Sequence, residues 1–184
     1  SPVVFGQSFG GMVAMHYAVR HPGGISKLIL SSTAAQFRLD ETMKMMRKLG
    51  GPRAADVACE FFSNPSKAAY ETYGQVCLPL YSNPNVPAAG AFRDRAIERP
   101  EVAFHFFSDE MAQMDMRAEI ANITCPTLVI GGAIDPVTPP ICSKAIADAI
   151  GDNARLRMFE GCGHGPHRDD PTGAEKIMRH FLAD

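Results

Sequence analysis

Apolar residues fall along this chain in two rhythms. The runs at 3–5 ("VVF"), 27–32 ("KLILSS"), 127–132 ("TLVIGG") and 154–159 ("ARLRMF") are short, β-branched or apolar, and bounded by glycine, proline or polar residues, so they predict strands. The first three are continuous rather than alternating, which predicts burial on both faces, as in a parallel sheet. Between these runs the spacing turns helical. From Phe9 to Arg20 the residues Met12, Val13, Tyr17 and Ala18 offer an apolar face, until His21-Pro22-Gly23-Gly24 stops it. The stretches "PPICSKAIADAI" (139–150) and "TGAEKIMRHFLAD" (172–184) read the same way. Strands alternating with helices at both ends of the chain predict an α/β fold, a parallel sheet covered by helices.

The middle breaks the rhythm. From about Asp40 to Arg117 the chain is rich in Met, Ala, Phe, Glu and Arg and is punctuated by Pro52, Pro65, Pro79, Pro84, Pro87 and Pro100. This predicts short helices joined at proline turns, with no buried strand. The expected organisation is therefore a core formed by 1–38 and 119–184, with a helical insertion at 39–118.

Composition narrows the class of partner. With 46% apolar and 21% charged residues, the chain reads as an ordinary globular protein. A net charge of −2 leaves no electrostatic footprint for nucleic acid or an anionic membrane, and a small-molecule substrate fits better. No apolar stretch approaches the roughly 18 residues of a membrane span. The five cysteines are scattered, odd in number and without a CxxC pair, so neither a disulfide framework nor a zinc site is indicated, and a reducing cytoplasm is expected.

Candidate chemistry begins at Gly6-Gln7-Ser8-Phe9-Gly10. A serine between a buried strand and an amphipathic helix, flanked by glycines two residues away on each side, fits a sharp turn that lifts the hydroxyl above the sheet. Glycine at both flanking positions is expected, to let strand and helix approach. A helix-capping serine in a tight turn is the alternative. A nucleophilic serine needs a base, and the base needs an orienting acid. Asp135 follows the strand at 127–132 and His164 follows that at 154–159, in the order Ser, Asp, His. Asp135-Pro136 also suits an ordinary turn, and His164 with Cys162 and His167 also suits a metal.

These residues resemble the α/β-hydrolase family, through "GQSFGG", "HPGGISKLILSST", "CPTLVIGGAIDPVTPP" and "GCGHGPHRDDP". The likeness covers both ends of the chain and is greatest to proline iminopeptidase-like and related ester or lactone hydrolases. It implies a partial α/β-hydrolase sheet, from the elbow strand onward, with a helical lid. Ser8 is then the nucleophile, His164 the general base and acid, Asp135 the carboxylate that orients it, and the Phe9 N–H half of the oxyanion hole. Neither a metal nor an organic cofactor is implied.

That family carries further strands, helices and an H-G-G oxyanion loop ahead of the elbow, and none precedes "VVFGQS", so the sequence is expected to begin inside a larger protein. A silent binding scaffold is the competing class. The strand at Val3–Phe5 would be an apolar edge, expected to be covered by an N-terminal partner fragment or by a second copy in a homo-oligomer.

In the insertion, Met43, Met45, Met46 and the Phe and Met residues of 103–116 are candidates for an acyl or aryl pocket, or for plain packing. Glu60, Asp109 and Glu110 are candidates to hold a substrate amine, or lie on solvated faces. His16 and His105 are expected to be structural. His167 and His180 have no motif, and Cys162 is expected to be filler.

Overall fold

The computed structural model describes residues 1–85, 97 and 99–184. Four strands, β1 (Val3–Gln7), β2 (Lys27–Ser31), β3 (Thr127–Gly132) and β4 (Ala154–Phe159), form one parallel sheet in the order β1-β2-β3-β4. Pairing of Ile29 with Leu128 and of Leu30 with Val129 sends alternate residues to opposite faces. Leu28, Leu30 and Val129 pack with α1 (Phe9–Arg20) through Met15 and Ala18 and with a later helix, Pro140–Ile150, through Ile146 and Ile150. Ile29, Leu128 and Ile130 pack on the other face with Ala174 and Phe181 of the closing helix, Pro171–Ala183. Lys27 donates to the carbonyls of Phe181 (2.9 Å) and Leu182 (3.0 Å), a cation at the negative end of that helix.

The structure corrects two expectations at the start of the chain. Val3 and Phe5 are 48% and 46% exposed rather than buried on both faces, and β1 is the outer strand that its apolar residues were expected to form, paired only with β2 among the described strands. In α1 the buried face is Met12, Ala14, Met15 and Ala18, whereas Val13 and Tyr17 are exposed. The sequence offers the helix two apolar stripes, and the sheet covers one. Phe9, Val13 and Tyr17, spaced at i, i+4 and i+8, form the other.

Between β2 and β3 the described chain is helical. Here α2 (Leu39–Ser63) is followed by α3 (Lys67–Val76), a 3₁₀ turn at Leu78–Tyr81 and a helical run from Pro100 to Gln113 with a π-helical turn at Phe106–Glu110. At Pro52 the expected proline joint is present, between two helical halves of α2. The chain kinks at Gly51 (φ 75°, ψ −173°), which positions Pro52 to begin the second half, and the helix continues to Ser63. Pro87 lies outside the described residues. The two ends of the segment meet, with Gln36 bridged to Asp115 and the Met116 N–H donating to the Ala35 carbonyl at 2.8 Å.

Candidate active site

Ser8 sits between β1 and α1 with φ 52° and ψ −124°, a strained conformation for a residue with a Cβ. The strain persists because neighbours hold both sides of the residue. Its N–H donates to Ser31 (3.0 Å), and its carbonyl accepts from the Gly11 N–H (2.9 Å) and the Thr33 hydroxyl (2.7 Å). Its own side chain makes no capping hydrogen bond to α1, so the hydroxyl is spared for other work.

The close approach expected at both flanking glycines is present at only one. A Cβ on Gly6 would lie 2.6 Å from the Gly10 carbonyl oxygen and 2.8 Å from the Gly11 Cα. A Cβ on Gly10 would meet nothing within 4 Å among the described residues; the second tight position is Gly11, where it would lie 2.5 Å from the Thr33 hydroxyl. The reason is rotation: α1 turns Gly11 toward the end of β2 and Gly10 away from it.

Asp135, in the turn after β3, is fully buried. Oδ1 accepts from the N–H groups of Val137 and Thr138, and Oδ2 from the Thr138 hydroxyl, each at 2.9 Å. This is an Asx-type turn, as Asp135-Pro136 suits, and the same carboxylate also faces His164 Nδ1 at 2.9 Å. Burial would push its carboxyl upward, but the facing imidazole and these hydrogen bonds outweigh that and hold it below the usual range. An ionised carboxylate only accepts, so Nδ1 is the nitrogen that donates to it, and in the neutral imidazole Nε2 is then the acceptor. Nε2 lies 2.9 Å from the Ser8 hydroxyl. The structure thus brings Ser8, His164 and Asp135 into one hydrogen-bonded line, with the acid and imidazole 0% and 4% exposed.

Several further groups hold this line. The His164 N–H donates to the Tyr81 carbonyl at 2.6 Å, and the Tyr81 ring stands edge-on to the imidazole, centroids 5.1 Å apart. The His164 carbonyl accepts from Gln7 (3.1 Å) and from Arg168, so the elbow residue Gln7 ties the end of β1 to the histidine loop. Asp169 accepts from the Gly163 N–H (2.7 Å) and the Asn83 N–H (3.0 Å), which straps that loop to the helical segment. Only contacts between distant stretches reveal these roles.

Phe9 begins α1, so its N–H has no acceptor in the first helical turn. Its ring is edge-on to Phe106 at 4.9 Å. Cys162 is buried, and burial pushes its thiol up to about 11. The His167 ring meets Phe5 edge-on at 5.7 Å, while burial and Arg168 hold its imidazole below the ordinary range. Among the described residues no group of three or more His, Cys, Asp or Glu side chains is arranged to hold a metal.

The remaining candidates lie elsewhere. His16, His105 and His180 are exposed, so none supports the core, and His105 instead pairs with Glu110 at 3.1 Å on the surface. Glu60 and Asp109 are also exposed. Met46 is in the core and Met43 packs against it; neither they nor Met45 line the cavity beside Ser8, where Met12, Phe106, Phe107 and Met111 do.

A strand-elbow-helix carrying a serine within reach of a buried acid and imidazole, on a parallel α/β sheet, defines a hydrolase of the α/β-hydrolase type. Residues 2–171 match the serine aminopeptidase S33 family of hydrolases, and the chain belongs to that family. It is 27% identical over 98% of its length to the proline iminopeptidase PfmaB of Pestalotiopsis fici, and 30% identical over 89% to a pimeloyl-[acyl-carrier protein] methyl ester esterase of Chromobacterium violaceum. The chain spans 66% and 63% of the lengths of these two relatives. Among solved structures, an α/β fold family hydrolase from Bacillus anthracis superposes with TM-score 0.71 at 17% identity, covering 97% of this chain and 66% of that one. The proline iminopeptidase of Mycobacterium smegmatis superposes with TM-score 0.68 at 24% identity, covering 98% and 64%. No helix among the described residues is long and apolar enough to cross a membrane.

Proposed function

We propose that this chain carries the nucleophile, base and orienting acid of a serine hydrolase that cleaves a small ester, lactone or amide. The observation that carries the reading is Nε2 of His164 standing 2.9 Å from the Ser8 hydroxyl, with Asp135 buried behind Nδ1. In the proposed reaction Ser8 Oγ attacks the carbonyl carbon as its proton passes to Nε2. The Phe9 N–H, at the positive end of α1, supports the developing oxyanion. His164 then protonates the leaving group, and an acyl ester remains on Ser8. Water attacks that ester, giving its proton to Nε2, and the acid departs as the proton returns to Oγ.

The test is covalent capture. An alkyl fluorophosphonate is expected to add once, at Ser8, as read by intact mass and peptide mapping, and Ser8→Ala is expected to abolish the adduct. Absence of any adduct on folded protein would support a silent scaffold instead. Comparing hydrolysis of p-nitrophenyl acetate with release from proline p-nitroanilide separates an esterase from the aminopeptidase activity that the name of one relative describes.

We propose as well that the apolar edge of β1 is occupied in the working protein. The matched relatives are longer than this chain by about half, and a strand from that extra length is the occupant that fits the free parallel edge. Five free cysteines suit a reducing compartment, and we place the protein in the cytoplasm.

A further inference from the structure

The Ser8–Phe9 peptide, which carries the proposed oxyanion donor, is held from behind by a residue of another element. Thr33 stands two residues beyond β2, and its hydroxyl donates to the Ser8 carbonyl at 2.7 Å. We infer that Thr33 is a positioning residue, whose hydroxyl aims and polarises the Phe9 N–H for the oxyanion through the Ser8 carbonyl. The inference rests on Ser8 being the nucleophile, and it deepens that reading with a residue that acts through the backbone rather than on substrate.

Peptide geometry links the two groups. A trans peptide is planar, so its C=O and N–H point in opposite directions and turn together. Fixing the Ser8 oxygen therefore fixes the direction of the Phe9 hydrogen. A hydrogen bond accepted at the oxygen also draws electron density from the nitrogen, which makes the N–H a stronger donor. The other donors to this oxygen are the N–H groups of Gly11 (2.9 Å) and Met12 (3.3 Å), both in α1 and both moving with it. Thr33 is the donor from outside the helix among the described residues, and it is the nearest.

The surrounding chain is shaped to deliver this hydroxyl. Ser32 has φ 45°, a left-handed conformation that is strained for a residue with a Cβ, where the chain leaves β2 for the elbow. Glycine at 11 weakens α1, yet a Cβ there would lie 2.5 Å from Thr33 Oγ1 and 2.6 Å from its Cβ, so the helix is notched to admit the side chain. Of the hydroxyls at 31–33, all buried, those of Ser31 and Ser32 have no partner among the described residues, whereas that of Thr33 is committed to Ser8. The same stretch accepts the Ser8 N–H at the Ser31 carbonyl (3.0 Å), and the Ser32 N–H ties it to Ile130 of β3 (2.9 Å). The oxyanion donor is thereby fixed to the strand whose following turn holds Asp135. Satisfying the Ser8 carbonyl alone would not call for this, since two helical N–H groups already meet its two lone pairs.

Thr33→Val removes the hydroxyl at nearly constant volume, Thr33→Ala removes it without the branched side chain, and Thr33→Ser keeps it. Two quantities are measured on the full chain of the parent and each variant: the rate of adduct formation with the alkyl fluorophosphonate, by intact mass, and the Phe9 amide nitrogen shift, by NMR. One oxyanion donor is worth about 10²–10³ in rate, and one hydrogen bond strengthens its neighbour by about 10–30%, so loss of the hydroxyl is expected to slow the adduct about two- to eightfold. The Phe9 nitrogen is expected to move upfield in the same variants, and Thr33→Ser is expected to recover most of both changes. A slower adduct with the nitrogen unmoved would show a merely structural role. A moved nitrogen at the parent rate would show a bond without effect on the oxyanion, and a serine variant no better than valine would show that the hydroxyl is not the agent. Each of these overturns the inference and leaves the serine hydrolase reading standing. A parent chain that takes no adduct overturns both, and its unmodified mass tells that outcome from the others.

Discussion

The two outer strands of the sheet end it in opposite ways. On β4 the outward-facing positions include Arg155 and Arg157, both exposed, and Arg155 pairs with Asp184 near the chain end. Charged side chains on an edge strand discourage further pairing. On β1 the corresponding positions are Val3 and Phe5, and the helix that follows leaves Phe9, Val13 and Tyr17 exposed as well. Asp135 and His164 lie toward the finished side, and Ser8 lies beside the unfinished one. The site therefore lies between the buried middle of the sheet and its open edge, and the difference marks β1 as the edge that the proposed additional strand would cover.

The sharpest way to break the comparison is at the finished side. Asp135→Ala removes the acceptor for two backbone N–H groups, a hydroxyl and an imidazole, all buried. It is expected to lower kcat about 10⁴-fold in a form that turns over ester. Urea unfolding should show a loss of about 3–5 kcal/mol in stability. The pH dependence follows. The Asp135 carboxyl is held below its ordinary value of 3.8, so it stabilises the fold above that value and the contribution disappears as pH falls through the lowered one. Melting temperature should fall in acid for the parent protein, and the Ala variant should show a flatter profile below about pH 4.

The elbow gives the next largest effect. Gly11→Ala, whose new methyl would press on Thr33, is expected to cost about 1–3 kcal/mol, whereas Gly10→Ala should change stability by less than about 0.5 kcal/mol. Equal losses would show that the helix does not sit on β2 as described. At the unfinished edge Phe5→Lys should shift the chain's own denaturation midpoint least, within about 0.5 kcal/mol, since the ring is already near half exposed. The same change should weaken capture of a strand supplied from the extra length of the relatives, measured by pull-down and light scattering. A parent chain that instead forms stable dimers would replace that strand with a second copy.

The strand positions and the order serine, acid, histidine were legible because apolar runs and turn residues act locally. Leu28 to Leu30 and Leu128 to Ile130 announce burial on both faces wherever they lie in a sequence. The rotation of α1 was not legible, since Val13 and Met15 are equally apolar and only the sheet decides which is covered. The break at Gly51-Pro52 was legible from the residues, whereas the burial of Ala55 and Ala58 in the second half is set by packing against the rest of the helical layer. Tyr81, Thr138 and Asn83 support the site through their positions in space, and nothing in their immediate neighbours singles them out.

The carbonyl of Tyr81 holds the backbone of His164, and Asn83 grips the same loop from one turn further on. Anyone redesigning substrate range by exchanging the helical layer for that of another hydrolase would also replace the brace that keeps the imidazole in register. A transplant that retains residues 78–83 separates the two jobs, so the boundary for grafting is drawn by one backbone oxygen rather than by the limits of the helices.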